Sequence, residues 1–312
     1  MKAQKIVVLG TGGTIAGTAT AQGDTLGYTA AQLGVQELLA AIPALRGLPL
    51  EVEQVAQIDS KDMGFEVWRQ LALRCAHWLA QEDVQGLVIT HGTDTLEETA
   101  FFLQSVLGPA KPVVLTCAMR PATALAPDGP QNLVDAVTVA STAGARGVVA
   151  VCAGEIHAAD DVAKTNTWRL DAFSSGEAGP IGQIGPNGLR LTRNWPEPRV
   201  GRASSAIEKI ASAARWPRVE IVMNYAGAGA GVVQALVAQG IDGIVAAGTG
   251  NGTLHAELEA ALLQAQAGGV RVLRSTRCAT GPVLPHAGDV LPDAGGLSPV
   301  KARVVLLLDL LA

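Results

Sequence analysis

The sequence predicts an α/β protein: a larger N-terminal domain with a mostly parallel, doubly wound sheet, then a smaller C-terminal α/β domain. Three observations carry this. From residue 6 to residue 152, short apolar runs alternate with amphipathic segments, the pattern of right-handed βαβ units. Two of those runs, 6–9 and 86–90, pass directly into turns bearing glycine and threonine, where open α/β sheets bind their ligands. At 312 residues the chain is long enough for two cores. The expected division is 1–190 for the first domain, 191–217 for a linker and 218–312 for the second domain.

Taken in order, the first strand (6–9) opens into Gly10-Thr11-Gly12-Gly13-Thr14-Ile15-Ala16-Gly17. A dinucleotide fingerprint starting at Gly10 needs glycine where Ile15 stands, and a Walker loop needs Gly-Lys-Ser/Thr, which is absent. The turn therefore presents a hydroxyl, Thr14, rather than a cradle for phosphate. Residues 18–26 are small and polar without periodicity, and are expected to form a mobile segment over the site that ends at Gly27-Tyr28-Thr29. Thr29-Ala30-Ala31-Gln32 matches a capping box and predicts a helix stopping near Pro43. A strand over 51–58 closes on Asp59-Ser60-Lys61-Asp62. A helix over 66–80 follows, with Trp68, Leu71, Cys75, Trp78 and Leu79 on one face. The strand 86–90 runs into His91-Gly92-Thr93-Asp94-Thr95, and Thr95-Leu96-Glu97-Glu98 again reads as a capping box. Strands over 112–116 and 147–152 flank a helix over 132–143.

Between residues 180 and 218 Gly, Pro and Arg accumulate, predicting a hairpin at Gly185-Pro186-Asn187-Gly188 and a linker beyond it. The second domain has expected strands at 219–223, 243–247 and 270–275. Its last helix follows Ser298-Pro299, the arrangement of serine at the N-cap and proline at the first helical position.

Composition narrows the function classes. The chain is 48% apolar and 16% charged, with a formal net charge of −5, which offers no electrostatic footprint for nucleic acid or an anionic membrane. No apolar run approaches the roughly 20 residues of a bilayer span, and residues 6–9 are too short for the apolar core of a secretory signal. The four cysteines are scattered and form no CxxC pair, so a reduced, cytoplasmic setting is expected. The five histidines show no metal-ligand spacing, so neither metal nor cofactor is expected.

Parallel strands put Thr14, Ser60 and the Thr93–Asp94 pair along one sheet edge, where they can share a pocket. Lys164, in Asp161-Val162-Ala163-Lys164-Thr165-Asn166-Thr167, is a fourth candidate. A threonine hydroxyl needs an adjacent base to act as a nucleophile; a lysine oriented by a carboxylate can serve. Each residue also has a structural reading. Thr14 can satisfy its own tight turn, Asp94 and Ser60 can cap helices, Lys164 can be a solvated charge, and Tyr28 a core aromatic.

These segments together resemble the two signatures of the bacterial-type L-asparaginases: Thr11-Gly12-Gly13-Thr14-Ile15-Ala16-Gly17 and His91-Gly92-Thr93-Asp94-Thr95. Further matches follow in order at Tyr28-Thr29, Asp59-Ser60-Lys61-Asp62-Met63, Ala118-Met119-Arg120-Pro121, Asp128-Gly129-Pro130, Lys164-Thr165-Asn166-Thr167, Asn224-Tyr225-Ala226, Gly250-Asn251-Gly252 and Lys301-Ala302-Arg303. The resemblance implies hydrolysis of L-asparagine to L-aspartate and ammonia without metal or cofactor, by a homotetramer of intimate dimers. It also implies roles. Thr14 is the nucleophile, with Tyr28 beside it on a lid, and Thr93, Asp94 and Lys164 form the second catalytic group. Asp59, Ser60, Lys61 and Asp94 lie at the substrate's α-carboxylate and α-amino groups. Backbone at Gly13, Gly92 and Ala118 supplies oxyanion and amide contacts.

The chain departs from relatives in four places. Lys61 replaces a Gln, Thr253 stands where a neighbouring subunit lends an Asn, and the stretch 281–297 is shortened. There Asp289 is the candidate for a lent Glu, with Asn251 another candidate contributor. Asp160 replaces an Arg. The rival readings are a glutaminase-asparaginase, the ammonia-releasing subunit of a tRNA-dependent amidotransferase (disfavoured, as residue 6 already begins the first strand), and a non-catalytic amino-acid- or nucleotide-binding module.

Overall fold

The computed structural model describes residues 4–19, 28–198 and 203–311. Two compact units divide between Ala211 and Ser212.

The first unit is built on an eight-stranded sheet. Its strands are β1 (Lys5–Gly12), β4 (Leu50–Ile58), β5 (Val84–Thr90), β6 (Pro112–Thr116), β7 (Gly147–Cys152), β8 (Glu155–Ala158), β11 (Gly182–Gly185) and β12 (Gly188–Leu191). Two two-residue pairs lie outside that sheet: β2 (Thr18–Ala19) with β3 (Tyr28–Thr29), and β9 (Ala163–Lys164) with β10 (Phe173–Ser174). The sheet runs β12-β11-β8-β7-β6-β5-β1-β4. From β4 to β7 every pairing is parallel, and β8, β11 and β12 add an antiparallel edge. The inner strands are apolar through their centres because both faces are covered; Val7, Val8, Leu9, Leu87, Val88 and Ile89 are inaccessible to solvent. Five helices accompany them: α1 (Val35–Ala40), α2 (Phe65–Leu79), α3 (Leu96–Leu107), α4 (Gly129–Ala140) and α5 (Ala203–Ser212).

From β1 the chain moves outward to β4, then returns to the other flank of β1 as β5 and continues to β6 and β7. The order therefore reverses between β1 and β5, whose loops leave in opposite directions and open a crevice at the carboxyl edge. Register aligns the two strand ends there, with Gly10 opposite Thr90.

The second unit holds a three-stranded parallel sheet, β13 (Val219–Met223), β14 (Gly243–Gly248) and β15 (Arg271–Thr276). Helices α6 (Gly231–Ala238), α7 (Ala256–Ala267) and α8 (Pro299–Leu310) complete it. Its core joins Val222, Val233, Ile244, Leu258 and Leu262.

Several boundaries differ from the sequence expectation, each for a physical reason. The helix expected from Thr29 begins only at Val35. Ala31 has a left-handed φ of 57°, and the amides of Ala31, Gln32 and Leu33 donate to the carbonyls of Gly13 and Ala16. Residues 30–33 thus brace the Thr14 turn, and Glu37 Oε2 caps the Gly34 amide at 2.9 Å. Thr95 does not close a capping box. Its hydroxyl donates to the Ser60 carbonyl at 2.8 Å, tying two site loops together. Helix α4 starts at Gly129 rather than 132, with Pro130 in its first turn. The stretch read as a linker contains α5, whose Ile210 is fully buried. Within the segment expected to be mobile, Thr18–Ala19 pairs with Tyr28–Thr29; residues 20–26 lie outside the described residues.

Candidate active site

The site is assembled at the β1/β5 crevice. Gly12 and Gly13 leave β1 with φ of 103° and 84°, conformations that cost a glycine little. They turn the chain into one helical turn, Thr14–Ala16. A Cβ on Gly13 would lie 2.3 Å from the Gly92 amide nitrogen, and one on Gly92 would lie 2.4 Å from Ser60 Oγ. Three loops thus meet at two glycines, and any side chain in place of either would push them apart. Thr11 Oγ1 donates to the Thr90 carbonyl at 2.8 Å and anchors the β1 turn to the end of β5.

Thr14 is nearly buried, and its hydroxyl lies 2.7 Å from Tyr28 Oη. Opposite, Lys164 Nζ donates to Thr93 Oγ1 at 2.8 Å and to Asp94 Oδ1 at 2.6 Å. The lysine is held there because β9 pairs with β10, placing Lys164 against Phe173. Only 18% of its side chain is exposed, against 51% for Asp94, so the structural reading of a solvated charge does not hold. Ser60 Oγ accepts the Asp94 amide at 3.1 Å, fixing the Asp94 loop. Thr14, Tyr28, Thr93, Asp94 and Lys164 all line one cavity of about 750 Å³. Residues from well-separated stretches of the chain thus meet at one pocket.

Other expected residues sit differently. Asp59, Ser60 and Lys61 do not themselves line the cavity; Ser60 is buried behind it, bound to the Asp94 amide. Lys61 is well exposed, and its ammonium pairs with Asp62 at 2.5 Å and Asp59 at 4.0 Å. Asp59 also accepts the Lys61 amide as the cap of a short turn. The Gly13 amide donates to the Ile58 carbonyl at 2.9 Å, which leaves its close backbone approach, not its N–H, as its contribution. Ala118 is fully buried against Ile15 and Ala16, one layer behind Thr14.

In the second unit, Asn251 brackets Leu284, donating to its carbonyl and accepting its amide. The Thr253 hydroxyl is engaged with Thr249. Asp289 is bound to Arg274 Nη2 at 2.6 Å and accepts the His286 amide. The Arg274 hydrogen bond holds this carboxyl below the usual carboxylate range, and the side chain is 13% exposed. Its carboxylate is thus engaged inside its own unit.

Sequence reasoning missed part of the wall: Met119, Arg120, Leu125, Thr167 and Trp168 also line the cavity. Met119, Arg120 and Thr167 lie in motifs already noted. Trp168 and Leu125 carry no local signal, yet they are 74% and 89% exposed at the mouth. His91, at the end of β5, is inaccessible to solvent; burial pushes its imidazole down to about 4, so it is neutral. Its Nδ1 faces the Gly92 carbonyl at 2.7 Å. Among the described residues no group of His, Cys, Asp or Glu is arranged to hold a metal.

Comparison with known proteins agrees with this geometry. A family model described as asparaginase, N-terminal, matches residues 5–197, and one described as the glutaminase/asparaginase C-terminal domain matches residues 218–311. The L-asparaginase 2 of Escherichia coli strain K12 is 40% identical, covering 98% of this chain and 88% of its own length. A glutaminase-asparaginase of Pseudomonas fluorescens biotype A is 38% identical, covering 99% and 87%. The crystal structure of a probable cytoplasmic L-asparaginase from Campylobacter jejuni superposes with a TM-score of 0.90 at 37% identity, covering 98% of this chain and 95% of that one. With both family models matched in order, and relatives of this identity along nearly its whole length, the chain belongs to the asparaginase family.

Proposed function

We propose that this chain is an L-asparagine amidohydrolase that releases L-aspartate and ammonia through an acyl-enzyme on Thr14. One observation carries the reading: a nearly buried threonine hydroxyl and a Thr-Lys-Asp chain of hydrogen bonds face the same cavity at the switch point of the sheet.

Thr14 Oγ attacks the side-chain carboxamide carbon while Tyr28, 2.7 Å away, relays the proton, accepting it from the Thr14 hydroxyl as its own phenolic proton passes to the amide nitrogen, which then leaves as ammonia. The tetrahedral oxyanion is stabilised by backbone N–H donors of the Gly92 loop, the Gly13 N–H being held by the Ile58 carbonyl. Its collapse expels ammonia and leaves an aspartyl ester on Thr14. Lys164, oriented by Asp94, then assists Thr93 in activating the water that hydrolyses the ester. Ser60 and Asp94 hold the α-carboxylate and α-amino groups. Metal and cofactor have no role in this scheme.

A second reading, a glutaminase-asparaginase, is favoured by one observation: relatives of that name, 36–38% identical, match 97–99% of this chain. The assembly we propose is a homotetramer, supported by the resemblance and by the exposed apolar side chains of Met223, Tyr225, Leu284 and Val290 in the second unit. No helix among the described residues is long and apolar enough to cross a membrane. A cytoplasmic location is supported by three buried free thiols, Cys75, Cys117 and Cys152.

Ammonia release from L-asparagine and from L-glutamine, measured side by side with Thr14→Ala as control, tests the proposal. Strong asparagine turnover, weak glutamine turnover and a silent control are expected. Comparable rates would favour the second reading, and no ammonia from either amide would overturn both.

A further inference from the structure

Asp128 stands at the N-cap of α4 but does not cap it. Its carboxylate instead turns across the loop after β6, accepting the Met119 amide at Oδ2 and the Arg120 amide at Oδ1, both at 2.9 Å. One turn along, the buried Asn132 continues the same grip. Its Nδ2 donates to the Cys117 carbonyl at 2.9 Å and lies 3.3 Å from Asp128 Oδ2, while its Oδ1 accepts the Ala153 amide at 3.0 Å. Between the two, Gly129 packs so closely that a Cβ would fall 2.8 Å from Ile15 Cγ1 and 3.3 Å from Ala118 Cβ.

A single helical turn therefore touches both sides of the crevice. It holds residues 117–120, of which Met119 and Arg120 line the cavity, and it abuts Ile15, the residue after Thr14. We infer that Asp128 and Asn132 are positioning residues for the reaction. They fix the Cys117–Arg120 wall against the Thr14 turn, so that the carboxamide is held at the attacking hydroxyl. This rests on the reading of Thr14 as nucleophile. The residue types suit such a role. A carboxylate at a helix N-terminus is favoured by the dipole, and two backbone N–H groups on one carboxylate make a charge-assisted, directional clamp. Ser60 and Asp94 sit on other loops that this clamp does not touch, so binding of the substrate's α-groups should survive its loss. Attack geometry should not, because a displacement of about 1 Å can cost about 10²-fold in rate.

The test is Asp128→Asn, which keeps the shape but presents an amide to two N–H groups, measured for asparagine kcat and KM, L-aspartate affinity and thermal stability. We expect kcat per folded molecule to fall about 10- to 100-fold, with KM and aspartate affinity within about threefold of wild type. Asp128→Glu, which retains the carboxylate, should recover part of kcat. Unchanged kcat, or a kcat loss matched by equal losses of aspartate affinity, would overturn the inference. If Asp128→Asn does not fold, Asp128→Ser is read in its place, and failure of both to fold would assign Asp128 a structural role and overturn it too. Wild-type protein silent on asparagine would instead sink the underlying reading of Thr14.

Discussion

At the residue scale, activity should depend on hydroxyl and amine chemistry rather than on packing. Thr14→Ala removes one hydroxyl and leaves the turn's backbone bonds, so the protein should fold normally. Its turnover should fall by about 10³-fold or more, because the nucleophile itself is gone; retention of a tenth of wild-type kcat would refute the role. Lys164→Met keeps the length of the side chain while deleting the amine that binds Thr93 and Asp94. A loss of about 10²–10⁴ in kcat is expected, the usual weight of a general base. A kcat within about threefold of wild type would count against the assignment. That Thr14, Thr93, Asp94 and Lys164 meet at one cavity was legible because a hydroxyl, an amine and a carboxylate recur in the turns and motifs of one sheet edge. The partners of Lys61 and Asp289 were not legible in the same way. A charged residue's partner depends on tertiary placement, and here Asp62 and Arg274 claim them.

At the element scale, the crevice exists because three loops meet at two glycines. Gly92→Ala would set a Cβ 2.4 Å from Ser60 Oγ, displacing the serine assigned to the substrate's carboxylate. KM for asparagine should rise at least tenfold, and kcat should fall with it because the same backbone serves the oxyanion; an unmoved KM would remove Ser60 from the binding site. Much of this architecture could be read in advance. The fully buried strands β6 and β7, and the 86–89 stretch of β5, announce themselves as apolar runs, and the Gly185–Gly188 hairpin by its turn residues. The capping boxes failed because a threonine hydroxyl or a backbone amide takes whichever partner the fold offers first. For Thr95 that was the Ser60 carbonyl, and for Ala31–Leu33 the Thr14 turn. Trp168 and Leu125 were illegible since loop residues that rim a cavity follow no periodicity.

At the scale of the whole molecule, two buried histidines make stability depend on pH. His91, with a pKa pushed by burial to about 4 against 6.5 when unfolded, is protonated earlier in the unfolded chain. The unfolded state therefore binds more protons between those values, so stability rises with pH across that window and is lost as pH falls from about 6.5 to about 4. His91 alone accounts for about 3 kcal/mol, and burial lowers His157 in the same direction. Denaturant unfolding at pH 7 and pH 4.5 should show the difference, and His91→Asn, which cannot charge, should flatten it. An identical slope in the variant would contradict the assignment. The proposed homotetramer should sediment as four copies, and a monomer at micromolar concentration would rule it out.

The central claim is a covalent aspartyl ester on Thr14, and rapid quenching tests it most directly. Protein mixed with L-asparagine, stopped in acid within a turnover and digested, should show one aspartyl group added to the peptide carrying Thr14 and none in Thr14→Ala. An adduct on the peptide carrying Thr93, or turnover by Thr14→Ala at a rate near wild type, would contradict the account.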